Sequence, residues 1–233
     1  MALLRHTDKE YESELADLRE QLLLMGAKVE KAVERAIWSF EEGDVQLARR
    51  VIRGDSEIDR LETAVDGMAL RILAKRQPVA SDLRFIATAL KVVTDLERIG
   101  DLGVNIAERV VELTQSPPQR ERRAILSITD VALGMLHDAL DAFVAKDATK
   151  AEEVLARDSM VDTAYAQLFR TLLAQIVAEP GSAARCTRLQ SIAKCLERVA
   201  DHSTNLAEMV VFMVRGDDVR HTGASTPGDD TET

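Results

Sequence analysis

Two segments of this chain carry oxygen-bearing side chains at steps of four residues. The first reads LERIGDLGVN, and the second, one hundred residues later, reads LERVADHSTN. Each contains the pattern Glu-x-x-x-Asp-x-x-x-Asn, formed by Glu97, Asp101 and Asn105 and by Glu197, Asp201 and Asn205. Residues four apart share one face of a helix, so each pattern would present two carboxylates and one amide in a row. Such oxygen ligands suit Mg²⁺, Mn²⁺, Ca²⁺ or iron.

A second acidic motif, Asp-x-x-x-Asp, also occurs once in each half. Its members are Asp55 and Asp59, then Asp158 and Asp162. These motifs fall on the helical pattern that precedes each row, and consecutive helices joined by a short loop pack antiparallel about 8–10 Å apart. Carboxylates that face one another across this gap repel, and a bound cation is the simplest compensation. We therefore predict a metal site in each half, built from these acidic motifs.

A different interpretation of the same motifs is a solvated helix face. Acidic residues four apart are common on exposed faces, and the row that starts at Glu97 lies beside the apolar stripe rather than within it. Arg98 and Arg198 follow the two glutamates and could form surface ion pairs. The occurrence of both motifs on matching helices of two related halves favours the cation site. A helical adaptor without metal stays open as an alternative.

Hydrophobic periodicity predicts that six long helices position these motifs. Apolar residues recur at steps of three and four, and a chain with 3% aromatic residues and few prolines favours helices over strands. The predicted helices cover residues 9–42, 45–75, 82–113, 119–145, 148–177 and 184–214. Asp44, Ser81 and Asp147 should cap the starts of the second, third and fifth helices.

The two halves of the chain are related by an internal duplication. GDVQLARRVIRGDSEID, which begins at Gly43, parallels KDATKAEEVLARDSMVD, which begins at Lys146. A period of about one hundred residues is too long for a solenoid repeat and indicates a duplicated three-helix bundle. The predicted fold is all-α, with one bundle in residues 1–116 and a second in residues 119–215, separated at Pro117-Pro118. Residues 216–233 lack periodicity and are predicted to form a disordered acidic tail.

Charge and composition exclude several classes of function. A formal net charge of −10, one tryptophan and two tyrosines provide neither the basic footprint nor the stacking rings of a nucleic-acid binder. The same charge disfavours an anionic membrane surface. Neither a signal peptide nor an apolar run of about 18 residues is visible. Cys186 and Cys195 would point to roughly opposite faces of one helix, which fits a reducing cytosol, and we expect a cytoplasmic protein.

The segment QPVASDLRFIATALKVVTDLERIGDLGVNIAERVVEL, residues 77–113, resembles the PhoU family of phosphate-signalling proteins. The similarity extends over almost the whole chain and includes MGAKVEKAVERAI and LERVADHSTNLAE. It implies two similar three-helix bundles in a protein that forms homodimers. It also implies a regulator that contacts the nucleotide-binding subunit of the phosphate ABC transporter and the phosphate sensor histidine kinase. Such a protein reaches the membrane only through its partners.

The family resemblance also implies metal binding at the acidic motifs. Some members hold multinuclear sites, so the expected cofactors are ions of iron, zinc, manganese or magnesium. Family members often have histidine after the aspartate of the longer motif. His202 keeps it in the second half and is a candidate additional ligand, whereas Leu102 replaces it in the first. Glu62 has Tyr165 as its counterpart, so the two sites are expected to differ.

A carboxylate-bridged di-metal enzyme is the main competing function. Helical bundles hold such sites, but the usual ligand set includes Glu-x-x-His on two helices. The four histidines are His6, His137, His202 and His221, and none has glutamate three residues before it. The sequence also contains neither a phosphate loop nor a G-x-S-x-G elbow. We therefore predict a protein that is not an enzyme.

Overall fold

The computed structural model describes residues 2–78, 80–113 and 121–216, and its architecture is all-α, as the periodicity predicts. This part of the chain contains eight α-helices, a 3₁₀ turn at Pro180–Ser182 and no β-strand. The helices are α1 (Ala2–Glu42), α2 (Val45–Gly54), α3 (Ser56–Lys75), α4 (Ala80–Leu113), α5 (Arg122–Ala145), α6 (Ala148–Leu155), α7 (Asp158–Ala178) and α8 (Ala183–Arg215). Pro117-Pro118 and the predicted tail after Gly216 lie outside the described residues.

The second and fifth predicted helices are each interrupted once, which changes the setting of the Asp-x-x-x-Asp motifs. α2 ends at Gly54 and α3 begins at Ser56, so Asp55 occupies the break. In the second half, Asp158 is the first residue of α7. The first carboxylate of each motif therefore stands at a helix start, where the helix dipole favours negative charge. Apolar periodicity continues through both breaks, and for that reason it predicts a single helix in each place.

Two of the three predicted helix caps are confirmed. Asp44 accepts a hydrogen bond from the backbone N–H of Leu47 at 2.9 Å, and Asp147 caps α6 in the same way. These bonds satisfy backbone donors that have no partner within the helix. The prediction for Ser81 is wrong, because α4 already begins at Ala80.

Helices α4 and α8 lie at the centre of the molecule and pack against each other. α4 also contacts α1, α2 and α3, and α8 also contacts α5, α6 and α7. The inward faces repeat apolar residues at helical spacing, as in Val92, Leu96 and Ile99 of α4 and Ile192, Leu196 and Val199 of α8. One continuous core of buried side chains results. None of the described helices is long and apolar enough to cross a membrane.

Candidate functional site

In the first half, the two acidic motifs face each other where α3 packs on α4. Asp55 stands at the start of α3 with Asp59 one turn later, and α4 supplies Glu97 and Asp101. The charges of Asp59 and Asp101 act on Asp55, and the same two charges act on Glu97. The structure therefore brings these four predicted carboxylates together.

Burial makes this first-half cluster unfavourable for negative charge. Loss of hydration raises the pKa of Asp55, and repulsion by Asp59 and then Asp101 raises it further. The pKa of Glu97 is also raised, first by burial and then by the charge of Asp101. A cation among these carboxylates would offset both effects.

One buried oxygen of Glu97 has no hydrogen-bond partner among the described residues. This oxygen is Oε2, and the part of the chain that the structure describes donates no hydrogen bond to it. Arg98 Nε lies 3.4 Å from it, and the same guanidinium lies 3.5 Å from Asp101 Oδ2. Arg98 is 55% exposed, so water screens its charge and it compensates the cluster only in part. A buried carboxylate oxygen without a hydrogen bond is costly, and a cation would remove that cost.

In the second half, α7 and α8 build a similar cluster. One oxygen from each of Asp162, Glu197 and Asp201 lies within 4.8 Å of the others, a separation that one hard cation can bridge. Burial raises the pKa of Asp201, and repulsion by Glu197 and Asp158 raises it further. Asp158 Oδ1 accepts a hydrogen bond from Thr204 Oγ1 at 3.2 Å, which orients it beside the other three carboxylates.

Lys194 places a cation of the protein itself in the second-half cluster. Its Nζ lies 2.6 Å from Glu197 Oε1 and 2.5 Å from Oε2, and the hydrogen bond to Glu197 raises the pKa of Lys194. Nζ is also 5.4 Å from the centre of the Tyr165 ring. The corresponding first-half residues are Thr94 and Glu62, and burial raises the pKa of Glu62. The first-half cluster therefore has one carboxylate more and one ammonium group fewer than the second-half cluster.

Two of the remaining predicted ligands, His202 and Asn205, bond to Asp95 rather than to the carboxylates of the second-half cluster. His202 Nδ1 lies 2.7 Å from Asp95 Oδ1, and Asn205 Nδ2 donates a hydrogen bond to the same oxygen at 3.2 Å. Asp95 belongs to α4, so both side chains join the two halves of the molecule. Asn105 is partly buried, one turn beyond Asp101. The roles of His202 and of the two asparagines as ligands stay predictions.

Asp95 and Lys194 shape this region, and sequence reasoning did not find either of them. Lys194 stands three residues before Glu197, a spacing that favours an ion pair on a helix. The same spacing is common on solvated faces, so the signal is weak. Asp95 carries no local signal, because its partners His202 and Asn205 are 107 and 110 residues away.

Replacement of Glu97 with glutamine should stabilise the chelator-treated protein at neutral pH. Burial and Asp101 raise the folded-state pKa of Glu97 above its unfolded value. Its contribution to stability is therefore fully present below the unfolded pKa and is lost as pH rises through the folded pKa. We expect Glu97→Gln to raise the melting temperature near pH 7 by about 2–4 °C, which corresponds to about 1 kcal/mol, and to give a smaller gain near pH 4.

Thermal unfolding followed by circular dichroism in EDTA measures this difference. Glu34→Gln removes an exposed carboxylate from α1 and serves as the matched control, with little expected change. A Glu97→Gln protein that melts at or below the wild-type temperature near pH 7 would show that ionisation of Glu97 costs no stability.

Comparisons with known proteins identify relatives over nearly the full chain. A family model described as PhoU domain matches twice, at residues 22–110 and 125–210, in agreement with the predicted duplication. A Pseudomonas putida protein named phosphate-specific transport system accessory protein PhoU homolog is 39% identical over 95% of this chain and 87% of its own length. The crystal structure of PhoU from Pseudomonas aeruginosa has a TM-score of 0.87 at 38% identity, covering 89% of this chain and all of its own. The crystal structure of the phosphate transport system regulatory protein PhoU from Streptococcus pneumoniae has a TM-score of 0.84 at 29% identity. This match covers 90% of this chain and 99% of the Streptococcus pneumoniae chain.

Proposed function

Because the chain belongs to the PhoU family, we propose that it is a non-catalytic, cytoplasmic regulator of phosphate uptake and phosphate-starvation signalling. The observation that carries this proposal is the match of both halves to the family. Relatives named as accessory proteins of phosphate-specific transport support it. The regulator would form a homodimer. It would act through contacts of its long helices with the nucleotide-binding subunit of the phosphate ABC transporter and with the phosphate sensor histidine kinase.

Both acidic clusters are proposed to hold divalent or iron-type metal ions. The carboxylate ligands would be Asp55, Asp59, Glu97 and Asp101 in the first half and Asp158, Asp162, Glu197 and Asp201 in the second. A bound cation would neutralise these groups and join α3 to α4 and α7 to α8. The buried Oε2 of Glu97 and the close triad around Glu197 support this assignment. Because Lys194 already pairs with Glu197, we expect weaker metal binding in the second half.

A di-metal enzyme finds less support than a regulator. The usual form of such a site adds histidine ligands, and the two histidines whose side chains the structure describes are held by other carboxylates. His137 Nδ1 lies 2.8 Å from Glu30 Oε1, and His202 Nδ1 pairs with Asp95. Oxygen consumption or substrate turnover after addition of Fe²⁺ would support the enzyme instead.

Deletion of the gene in its native host tests the regulatory role. We expect phosphate uptake and starvation-induced transcripts to stay high in phosphate-rich medium after deletion, and to fall when the full-length chain is supplied. Uptake of radiolabelled phosphate and transcript levels are the readouts. Co-purification with the transporter subunit and the kinase tests the two contacts separately. A deletion strain with unchanged uptake and transcripts would contradict the proposal.

A further inference from the structure

A pocket of about 420 Å³ opens between α1, α2 and the start of α3, with α4 at its floor. Four basic side chains line it: Lys28, Lys31, Arg35 and Arg50. Asp55 and Glu57 also line it, so the lining side chains carry two more positive than negative charges. This local excess contrasts with the net charge of −10 of the whole chain.

Two of the four cations are not neutralised by the described part of the protein. Lys28 Nζ lies 2.7 Å from Glu57 Oε2, and Arg50 lies 3.8 Å from the carboxylate that caps α2. Lys31 and Arg35 are exposed and form no ion pair with the described residues. They stand one turn apart on α1, so both charges reach the same pocket.

The equivalent position in the second half holds an internal ion pair. The duplication places Arg157 at the position of Gly54 and Asp138 at the position of Arg35, 103 residues apart in both cases. Arg157 Nη2 donates a hydrogen bond to Asp138 Oδ2 at 2.6 Å. Its guanidinium packs over Gly134, where an added Cβ would lie 3.6 Å from Nη1. The Arg157 side chain, paired with Asp138, therefore lies where the first half has only Gly54.

Three differences from the second half open the first-half pocket and leave it with an excess of positive charge. Gly54 provides no side chain to fill the space, and a Cβ built there would meet nothing within 4 Å. Arg35 stands where the second half has aspartate, and Lys31 stands at the position of Gly134. The first half therefore has an open space with two unpaired cations where the second half has ion-paired residues, with Asp138 bonded to both Arg157 and Lys150.

We propose that this first-half pocket binds a small anion that carries one or more phosphate groups. A phosphate monoester has a charge of about −1.5 to −2 at neutral pH and three strong acceptor oxygens, which matches the two unpaired cations. The guanidinium of Arg35 can donate two parallel hydrogen bonds to a phosphate, and Lys31 adds a point charge. The volume would hold roughly a dozen waters, which leaves space beyond one phosphate for a second phosphate or an organic group.

Isothermal titration of the full-length chain with orthophosphate, ADP and adenosine in EDTA tests this site. We expect one molar equivalent of orthophosphate or ADP to bind, and adenosine to give no heat. Tighter binding of orthophosphate would identify free phosphate as the ligand, and tighter binding of ADP would identify a phosphorylated metabolite. Both results support the site. EDTA removes metal ions but leaves the basic side chains in place. Binding in EDTA therefore comes from these side chains and not from a metal in the proposed centre.

Two variants test which side chains bind the anion. Lys31→Gln with Arg35→Gln removes the unpaired cations and should weaken binding about tenfold or more. Gly54→Arg with Arg35→Asp reproduces the Arg157–Asp138 pair of the second half and should abolish binding. Arg170→Gln removes an exposed cation from α7 and is the matched control. Circular dichroism checks that each variant is folded.

Three results would overturn the proposal. One is a folded wild-type chain that binds neither orthophosphate nor ADP. The second is equal binding by the wild type and the Lys31→Gln, Arg35→Gln variant. The third is binding that occurs only without EDTA, because it would place the anion on a metal rather than on these cations.

Discussion

Addition of Fe²⁺, Mn²⁺ or Zn²⁺ to the chelator-treated chain should raise its melting temperature by about 5–10 °C. A ligand at one hundred times its Kd stabilises the folded state by about 2.7 kcal/mol. In a chain of this size, about 1 kcal/mol shifts the melting temperature by about 2–4 °C. The physical cause is relief of the burial and repulsion that raise the pKa values of Asp55, Glu97 and Asp201.

The Asp101→Ala, Asp201→Ala variant should lose this rise in melting temperature. It should also lose its bound metal, which plasma mass spectrometry measures. Glu34→Ala with Asp130→Ala removes two exposed carboxylates outside the clusters and is the matched control. A folded wild type that stays metal-free and gains no stability from any of these ions would contradict the metal proposal. That result would favour the metal-free adaptor and leave the regulatory proposal in place.

Lys194→Thr tests, in the same experiment, whether the ion pair of Lys194 weakens metal binding in the second half alone. The substitution installs the residue found at the equivalent first-half position, Thr94, and frees Glu197 from its ion pair. We expect metal binding by the second half to become tighter and binding by the first half to stay unchanged. Weaker binding in this variant would indicate that Lys194 organises the cluster rather than competing with the cation.

Replacement of Gly103 with leucine should destabilise the fold, because α4 and α1 pack there backbone to backbone. A Cβ on Gly103 would lie 3.4 Å from the backbone nitrogen of Val33 and 3.5 Å from the carbonyl carbon of Ala32. A leucine would force α1 to move, and overpacking of a filled core costs about 1–3 kcal/mol. We expect the melting temperature, followed by circular dichroism, to fall by about 2–12 °C.

Gly103→Ala is the matched control for the leucine variant. Its Cβ would stay close to ordinary contact distance, and alanine favours a helix over glycine by about 1 kcal/mol. The equivalent second-half residue, Ser203, is fully buried, so a small side chain is compatible with this packing. A leucine variant as stable as the wild type would show that α1 and α4 can separate there without cost.

Much of the helical architecture could be predicted from the sequence. A helix that buries one face must repeat apolar residues at its own period, so all six predicted regions are helical in the described chain. The breaks near Asp55 and Asp158 could not be predicted from this signal. The apolar pattern continues through them, and the short helices α2 and α6 are positioned by their packing against α4 and α8.

The sequence by itself determined the duplicated acidic motifs, because residues four apart share a helix face in any surroundings. Only the tertiary structure decided which groups meet between helices. Asp95 holds His202 and Asn205, and the first-half pocket is open beside Gly54. The physical reason is that periodicity defines the face of a helix but not its crossing angle, its rotation or its side-chain rotamers. Those depend on the packing of residues that lie far apart in the chain.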